Sequence, residues 1–309
     1  MIRKYWFIFG MLLAIILGFI FNDTGKKLYL ASNYFAFLSI FFTGINLDFN
    51  KISFKRKMCL SIALSNSITL IFAPITFFLI AYYVFSLTGG LLIGVIVLSI
   101  LPTTIISHIV LCEMAGGNSL LSIINTVISN ILSLITIPVF LYIFIEKESH
   151  LSIFQLVSRT FMILILPILL SQIVKRVLIT KISRHYKVFP IFSQIIVLIF
   201  IFISFSINKN LIVSSLSFNS ELIKIPIIAF LLHVILLIIA YLGGKVFYIP
   251  SAERISILFS SSQKTLPLGM ALMLSIFPNA TQGTMVIAFY HLIQLFFDSF
   301  LAHRIKNRL

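Results

Sequence analysis

Six polar or charged side chains stand in a row at Ser260-Ser261-Ser262-Gln263-Lys264-Thr265, followed at once by Leu266, Pro267, Leu268 and Gly269. Hydroxyl and amide oxygens suit a hard cation or a polar solute, and an ammonium suits an anion. The flanking residues are apolar enough to cross a membrane, where such a run is costly unless it lines a cavity or packs on protein. Lys264 lies ten residues past Arg254, about 15 Å deep at the helical rise, too deep to reach water easily. Two readings of its charge stand side by side. In one the ammonium is a structural plug on carbonyls freed by Pro267. In the other it is a functional charge, with Asp298 as an available partner.

A second group of the same kind begins at Pro102, with Thr103, Thr104, Ser107 and His108 just downstream. Proline removes a backbone donor and crowds the preceding turn, so each proline is expected to interrupt its helix and leave carbonyls in need of partners. Between the two groups, Ser122, Thr126, Ser129 and Ser133 fall on one helical face, flanked by Asn125 and Asn130. That face is either a polar seam joining helices or an oxygen-rich wall for an ion or substrate. His108, His233 and His291 also fall in apolar segments; His291, after Tyr290, has the depth to face a cavity. No nucleophile elbow, P-loop, zincin motif or metal-spaced His/Cys set occurs, so neither an enzyme nor a bound cofactor is expected. Sodium or a proton is the candidate coupling ion.

The elements that must position these groups follow from composition. Of 309 residues, 60% are hydrophobic and 10% charged, and the mean hydropathy is +1.14. A soluble domain has about 25% charged residues, so the chain reads as an all-α polytopic membrane protein in a lipid bilayer. The long apolar runs lack the alternation of a β-barrel. A net charge of +15 does not point to nucleic acid, because the bases lie in loops between spans. Cys59 and Cys112 lie in apolar spans and do not read as a disulfide framework. Met1 to Lys4 resembles the start of a signal peptide, but without a cleavage motif it reads as the head of an uncleaved span.

Ten spans are expected, at about 5–21, 28–47, 58–87, 89–114, 119–145, 153–174, 188–207, 225–242, 254–277 and 284–302. Pro74 is expected to bend the third. Polar turns are expected at 22–27 and 146–150, and basic loops at 48–57 and 175–187. The side shared by both termini collects sixteen Lys and Arg against six on the other. The positive-inside rule therefore puts both termini in the cytoplasm, in a cell inner membrane. Pro102 and Pro267 are 165 positions apart, as are the turns beginning at Ala115 and Ala280. Residues 1–149 and 150–309 thus read as two five-helix repeats, inverted because five is odd, with helices 4 and 9 interrupted. Matching interruptions are the best sequence pointer to a transport site.

Taken with the turn Ala115-Gly116-Gly117-Asn118-Ser119, this pattern resembles the bile acid:sodium symporter family over nearly the whole chain. The resemblance implies that helices 4 and 9 cross, in a core of spans 3, 4, 5, 8, 9 and 10 beside a panel of spans 1, 2, 6 and 7. It implies sodium ligands at Ser122, Thr126 and Gln263, with Ser107 near the span-4 ligands. Phe259 stands where the family carries a glutamate, and Lys264-Thr265-Leu266 replaces Asn-Ser-Gly. The form Ser261-x-x-Lys264-Thr265-Leu266-x-Leu268-Gly269, with Tyr290-His291, is similar instead to a divergent branch that holds the seventh human member and bacterial relatives.

The sequence therefore leads to a secondary transporter of an organic anion, with no protein partner. Its candidate binding residues are Thr103, Thr104, Ser107, Ser122, Asn125, Thr126, Ser129, Ser262, Gln263, Lys264, Thr265 and His291, with Pro102 and Pro267 as the helix breakers. The alternative is a sensor or regulator that keeps the fold and transports nothing.

Overall fold

The structure is a computed structural model that describes residues 2–46, 58–149, 152–177, 188–214 and 221–307. Those residues are all helical apart from turns and breaks. In chain order the helices are α1 (Ile2–Ile20), α2 (Asn22–Tyr29), α3 (Ser32–Asn46), α4 (Cys59–Val84), α5 (Gly89–Ile100), α6 (Ser107–Met114) and α7 (Ser119–Ser149). They continue with α8 (Phe154–Val177), α9 (Phe189–Ile207), α10 (Lys209–Ser214), α11 (Glu221–Val246), α12 (Ser251–Ser262), α13 (Leu266–Ile276) and α14 (Gln282–Lys306). Six of these helices are long and apolar enough to cross a membrane, seven if α1 and α2 count as one bent span. The protein is a multi-pass membrane protein.

Burial is inverted relative to a soluble bundle. On α7, Ile131 and Ile135 are 55% and 67% exposed, whereas Ser122, Thr126 and Ser133 are 0% exposed and Asn125 is 1% exposed. Apolar side chains face outward, where lipid solvates them, and hydroxyls turn inward, where they find partners. The helices pack in two sets. One holds α1, α2, α3, α8 and α9; the other holds α4 to α7, α11, α12 and α14; α13 packs between them, against α3 on one side and α14 on the other. Inside the second set α5 lies directly on α14. A Cβ on Gly94 would sit 2.4 Å from the Gly283 Cα, so the approach requires glycine on both helices.

Two expectations about boundaries are corrected. The polar segment after the first span is the helix α2, turned by 102° from α1, rather than a turn. Asp23 in its first turn and Lys26 and Lys27 in its last complement the helix dipole. The turn expected at 146–150 is helical through Ser149, where α7 ends. Most of the basic loops, at 48–57 and 178–187, lies outside the described residues.

Prolines are handled in three ways. In α4 a π turn at Ile68–Phe72 precedes Pro74, and the Ala73 N–H bonds the Ile68 carbonyl. The next bond of that register would run from residue 74 to Thr69, but proline has no N–H, so the Thr69 carbonyl loses its helical partner. The same device precedes Pro167, with a π turn at Phe161–Ile165. Pro102 ends α5, whose C-cap Leu101 is extended (φ −66°, ψ 141°). Pro267 instead begins α13, near its N-terminus, where a missing N–H costs nothing. The second break therefore lies before its proline, at Gln263–Thr265.

Candidate functional site: the junction of two interrupted helices

The two breaks meet. The Thr265 N–H donates to the Pro102 carbonyl at 3.3 Å. Gln294 of α14 braces the second break with both ends of its amide: Oε1 accepts from the Lys264 N–H at 2.8 Å and Nε2 donates to the Lys264 carbonyl at 3.0 Å. The Tyr290 hydroxyl donates to the Ser262 carbonyl at 2.6 Å. Backbone that left its helix is thus satisfied by side chains of α14, as an apolar medium demands.

The Lys264 ammonium is 1% exposed and donates to three carbonyls, Thr69 at 2.8 Å, Ser99 at 2.8 Å and Leu101 at 2.9 Å. Each is a carbonyl whose helix has left it unpaired. Thr69 lost its partner to Pro74, and Ser99 and Leu101 lie at the C-terminal end of α5, where the dipole favours a cation. The carbonyls are those of the Pro102 and Pro74 sites, not of Pro267. Asp298 is bonded elsewhere: its Oδ1 lies 2.8 Å from His233 Nε2 and its Oδ2 accepts from Gln263 Nε2 at 2.8 Å.

Because a carboxylate only accepts, Asp298 fixes the rotamer of the Gln263 amide. Gln263 Oε1 is turned toward Ser107 and Thr104, which donate to it at 2.6 and 3.1 Å. His108 reaches across to α7: its Nε2 lies 3.1 Å from both the Ser122 carbonyl and the Thr126 hydroxyl, and its Nδ1 lies 3.3 Å from Thr104 Oγ1. Ser122 Oγ pairs with Ser256 Oγ at 2.8 Å. Asn125 donates to Ser260 Oγ at 3.1 Å and Ser129 to the Thr126 carbonyl.

A cavity of about 310 Å³ lies between the two helix sets, against this junction. From the junction side it is lined by Thr104, Ser107, Thr265, Pro267 and His291, and from the other side by Ser39, Thr43, Ser193 and Gln194. No charged side chain lines it among the described residues. The N-termini of α6 and α13 both start at its wall. His291 supplies a directed donor. Gln294 Nε2 donates to His291 Nδ1 at 2.8 Å, so the ring's N–H is on Nε2, which has no protein partner among the described residues.

The expected site residues therefore separate by location. Thr104, Ser107, Thr265 and His291 reach the cavity. Gln263 stands one hydrogen bond behind it. Ser122, Asn125, Thr126 and Ser129 lie in the buried seam between α7, α6 and α12. Lys264 caps α5, and the hydroxyls of Thr103 and Ser262 are buried without a partner. Sequence reasoning missed Gln294, Thr69 and the Ser39–Thr43–Ser193 cluster (Thr43 Oγ1 to Ser193 Oγ, 2.8 Å). Gln294 had a signal, an amide three residues after His291 in an apolar helix.

At the opposite ends of the helices around the cavity, outside its lining, further bonds occur. Asn208 donates to the Thr281 carbonyl at 3.1 Å and to Thr284 Oγ1 at 3.2 Å, and Ser204 Oγ lies 2.9 Å from Thr284 Oγ1. Arg159 donates to the Ser275 carbonyl at 2.6 Å. These bonds join α8 and α9 to α13 and α14.

The sequence is similar to those of known transport proteins. Sodium/bile acid cotransporter 7-B of Xenopus laevis is 26% identical over 99% of this chain and 93% of its own length. Sodium/bile acid cotransporter 7 of Rattus norvegicus is 26% identical over 99% and 94%. YfeH of Escherichia coli (strain K12), named as a candidate symporter, is 25% identical over 70% of this chain and 65% of its own. The SBF-like CPA transporter family matches residues 5–307, and the chain belongs to that family.

Proposed function

We propose that the protein is a secondary active transporter that moves an organic anion by alternating access. The observation that carries this reading is the cavity, which is walled by the starts of α6 and α13 on one side and by a different helix set on the other. Ten spans in two inverted five-helix repeats, 1–149 and 150–309, account for the two interrupted helices and their meeting point. The set containing α1, α3, α8 and α9 is the panel, and the set containing the interrupted helices is the core. Rocking of one on the other would carry the junction from one face of the membrane to the other.

The anionic substrate is supported by two helix N-termini at the wall and by the His291 Nε2–H, all of them donors. Lys264 adds its charge from behind the wall without touching the cavity. Of the cavity's lining residues, Trp6 and Pro190 lie near the starts of α1 and α9, and Met114 and Ser299 toward the ends of α6 and α14, the helix ends that ten spans place on the side of the termini. The opposite end is held shut by Asn208, Ser204 and Arg159. With both termini cytoplasmic, this conformer faces inward. The membrane is the cell inner membrane, and the relatives' bile acid names make an amphipathic anion the first substrate class to test.

Reconstituted protein should accumulate labelled cholate, or another amphipathic carboxylate from a panel, in proteoliposomes under an imposed ion or pH gradient. Neutral esters of the same compounds should be ignored. Absence of driven accumulation across the panel would favour the alternative, a membrane sensor or regulator that keeps the fold.

A further inference from the structure

Three backbone carbonyls converge on one point at the junction, from α4 (Thr69) and from the end of α5 (Ser99 and Leu101). Oxygens gathered in this way, without a carboxylate, form the kind of cage that binds a dehydrated monovalent cation. Three acceptors match the three N–H groups of an ammonium. The oxygens expected to hold sodium are otherwise engaged. His108 Nε2 lies 3.1 Å from both the Ser122 carbonyl and the Thr126 hydroxyl. Ser122 Oγ is paired with Ser256, and Gln263 Oε1 already accepts from Ser107 and Thr104. Phe259, 0% exposed, fills the position of the family's glutamate. These residues do not fit a sodium ion.

We propose that Lys264 is a tethered cation that permanently occupies a carbonyl cage at the helix junction, that His108 takes the hydroxyl side of the expected sodium position, and that the protein binds no sodium. The geometry shows why one residue does this. The carbonyls are created by Pro74 and Pro102, in two different helices, and only a long side chain entering from the second break reaches both. Its consequence for coupling, that substrate moves without sodium, rests on the transporter reading. The cage itself does not.

The test is thermal melting of the full chain in detergent, in sodium, potassium or choline chloride at equal concentration. Wild type should melt at the same temperature in all three. Lys264→Ala should melt lower by roughly 5 °C or more, and methylammonium chloride should raise its melting temperature while leaving wild type unmoved, because a small ammonium can refill the cage. A sodium-specific rise in wild type overturns the proposal. So does a Lys264→Ala protein as stable as wild type, or one whose loss methylammonium does not restore, since lysine is then only packing. If Lys264→Ala does not purify, Lys264→Ser, which leaves similar room for an added ammonium, takes its place in the rescue, and the wild-type comparison tests sodium binding separately. None of these shifts requires transport, so failure of cholate to accumulate leaves them readable.

Discussion

His291 shows how one hydrogen bond decides what a residue offers to a substrate. Gln294 has its oxygen committed to the Lys264 N–H, so its nitrogen must donate to His291 Nδ1, and the imidazole presents Nε2–H to the cavity. His291→Ala removes that donor and should raise KM for an anionic substrate about tenfold, the size of one hydrogen bond. His291→Gln, which keeps an N–H, should lose less, and kcat should change little in either. Equal KM in wild type and His291→Ala would place the anion elsewhere. Asp298 matters differently, as the acceptor shared by His233 and Gln263 at 2.8 Å each. Asp298→Ala strands both in an apolar medium and should cost about 3 kcal/mol or more, read as a lower melting temperature. Both residues stood out in the sequence as polar groups in apolar spans. Their partners did not, because which amide meets which ring is set by tertiary packing.

Among the elements, both interruptions were legible from Pro102 and Pro267, yet the two prolines work in opposite senses, one ending α5 and the other starting α13. Proline is compatible with either use, so the exact break is chosen by the residues that satisfy it, here Gln294 and Tyr290. Pro74 was legible as a bend, but its effect on the Thr69 carbonyl required the π turn, and nothing in the local sequence reports that register. The polar segment at 22–27 misled as a turn because its charges also suit a short helix laid against α9. The face of α7 was legible from spacing alone, since Ser122, Thr126, Ser129 and Ser133 are all buried. Close packing of α5 on α14 gives an element-scale test. Gly94→Val drives a side chain into the Gly283 backbone and should destabilise by about 1–3 kcal/mol or prevent folding. A Gly94→Val protein with wild-type melting would show that the two helices do not approach as described.

For the whole molecule, the central point is that the two helix sets are bonded at one end and parted by a cavity at the other. The bonds at the closed end are few side-chain hydrogen bonds, which suits a contact that must break in each cycle. Asn208→Ala with Ser204→Ala removes most of them and should shift the population toward opening on that side. The measurement that reaches the claim of alternating access most directly needs no substrate. In a Cys59→Ser, Cys112→Ser background, single cysteines at Ser107 and Thr265 are challenged with a membrane-impermeant thiol reagent from each side of oriented vesicles. Alternating access requires labelling of both positions from the side of the termini and, more slowly, from the opposite side, with the opposite-side rate raised by the Asn208→Ala, Ser204→Ala pair. Labelling confined to one side, and unchanged by that pair, would contradict it.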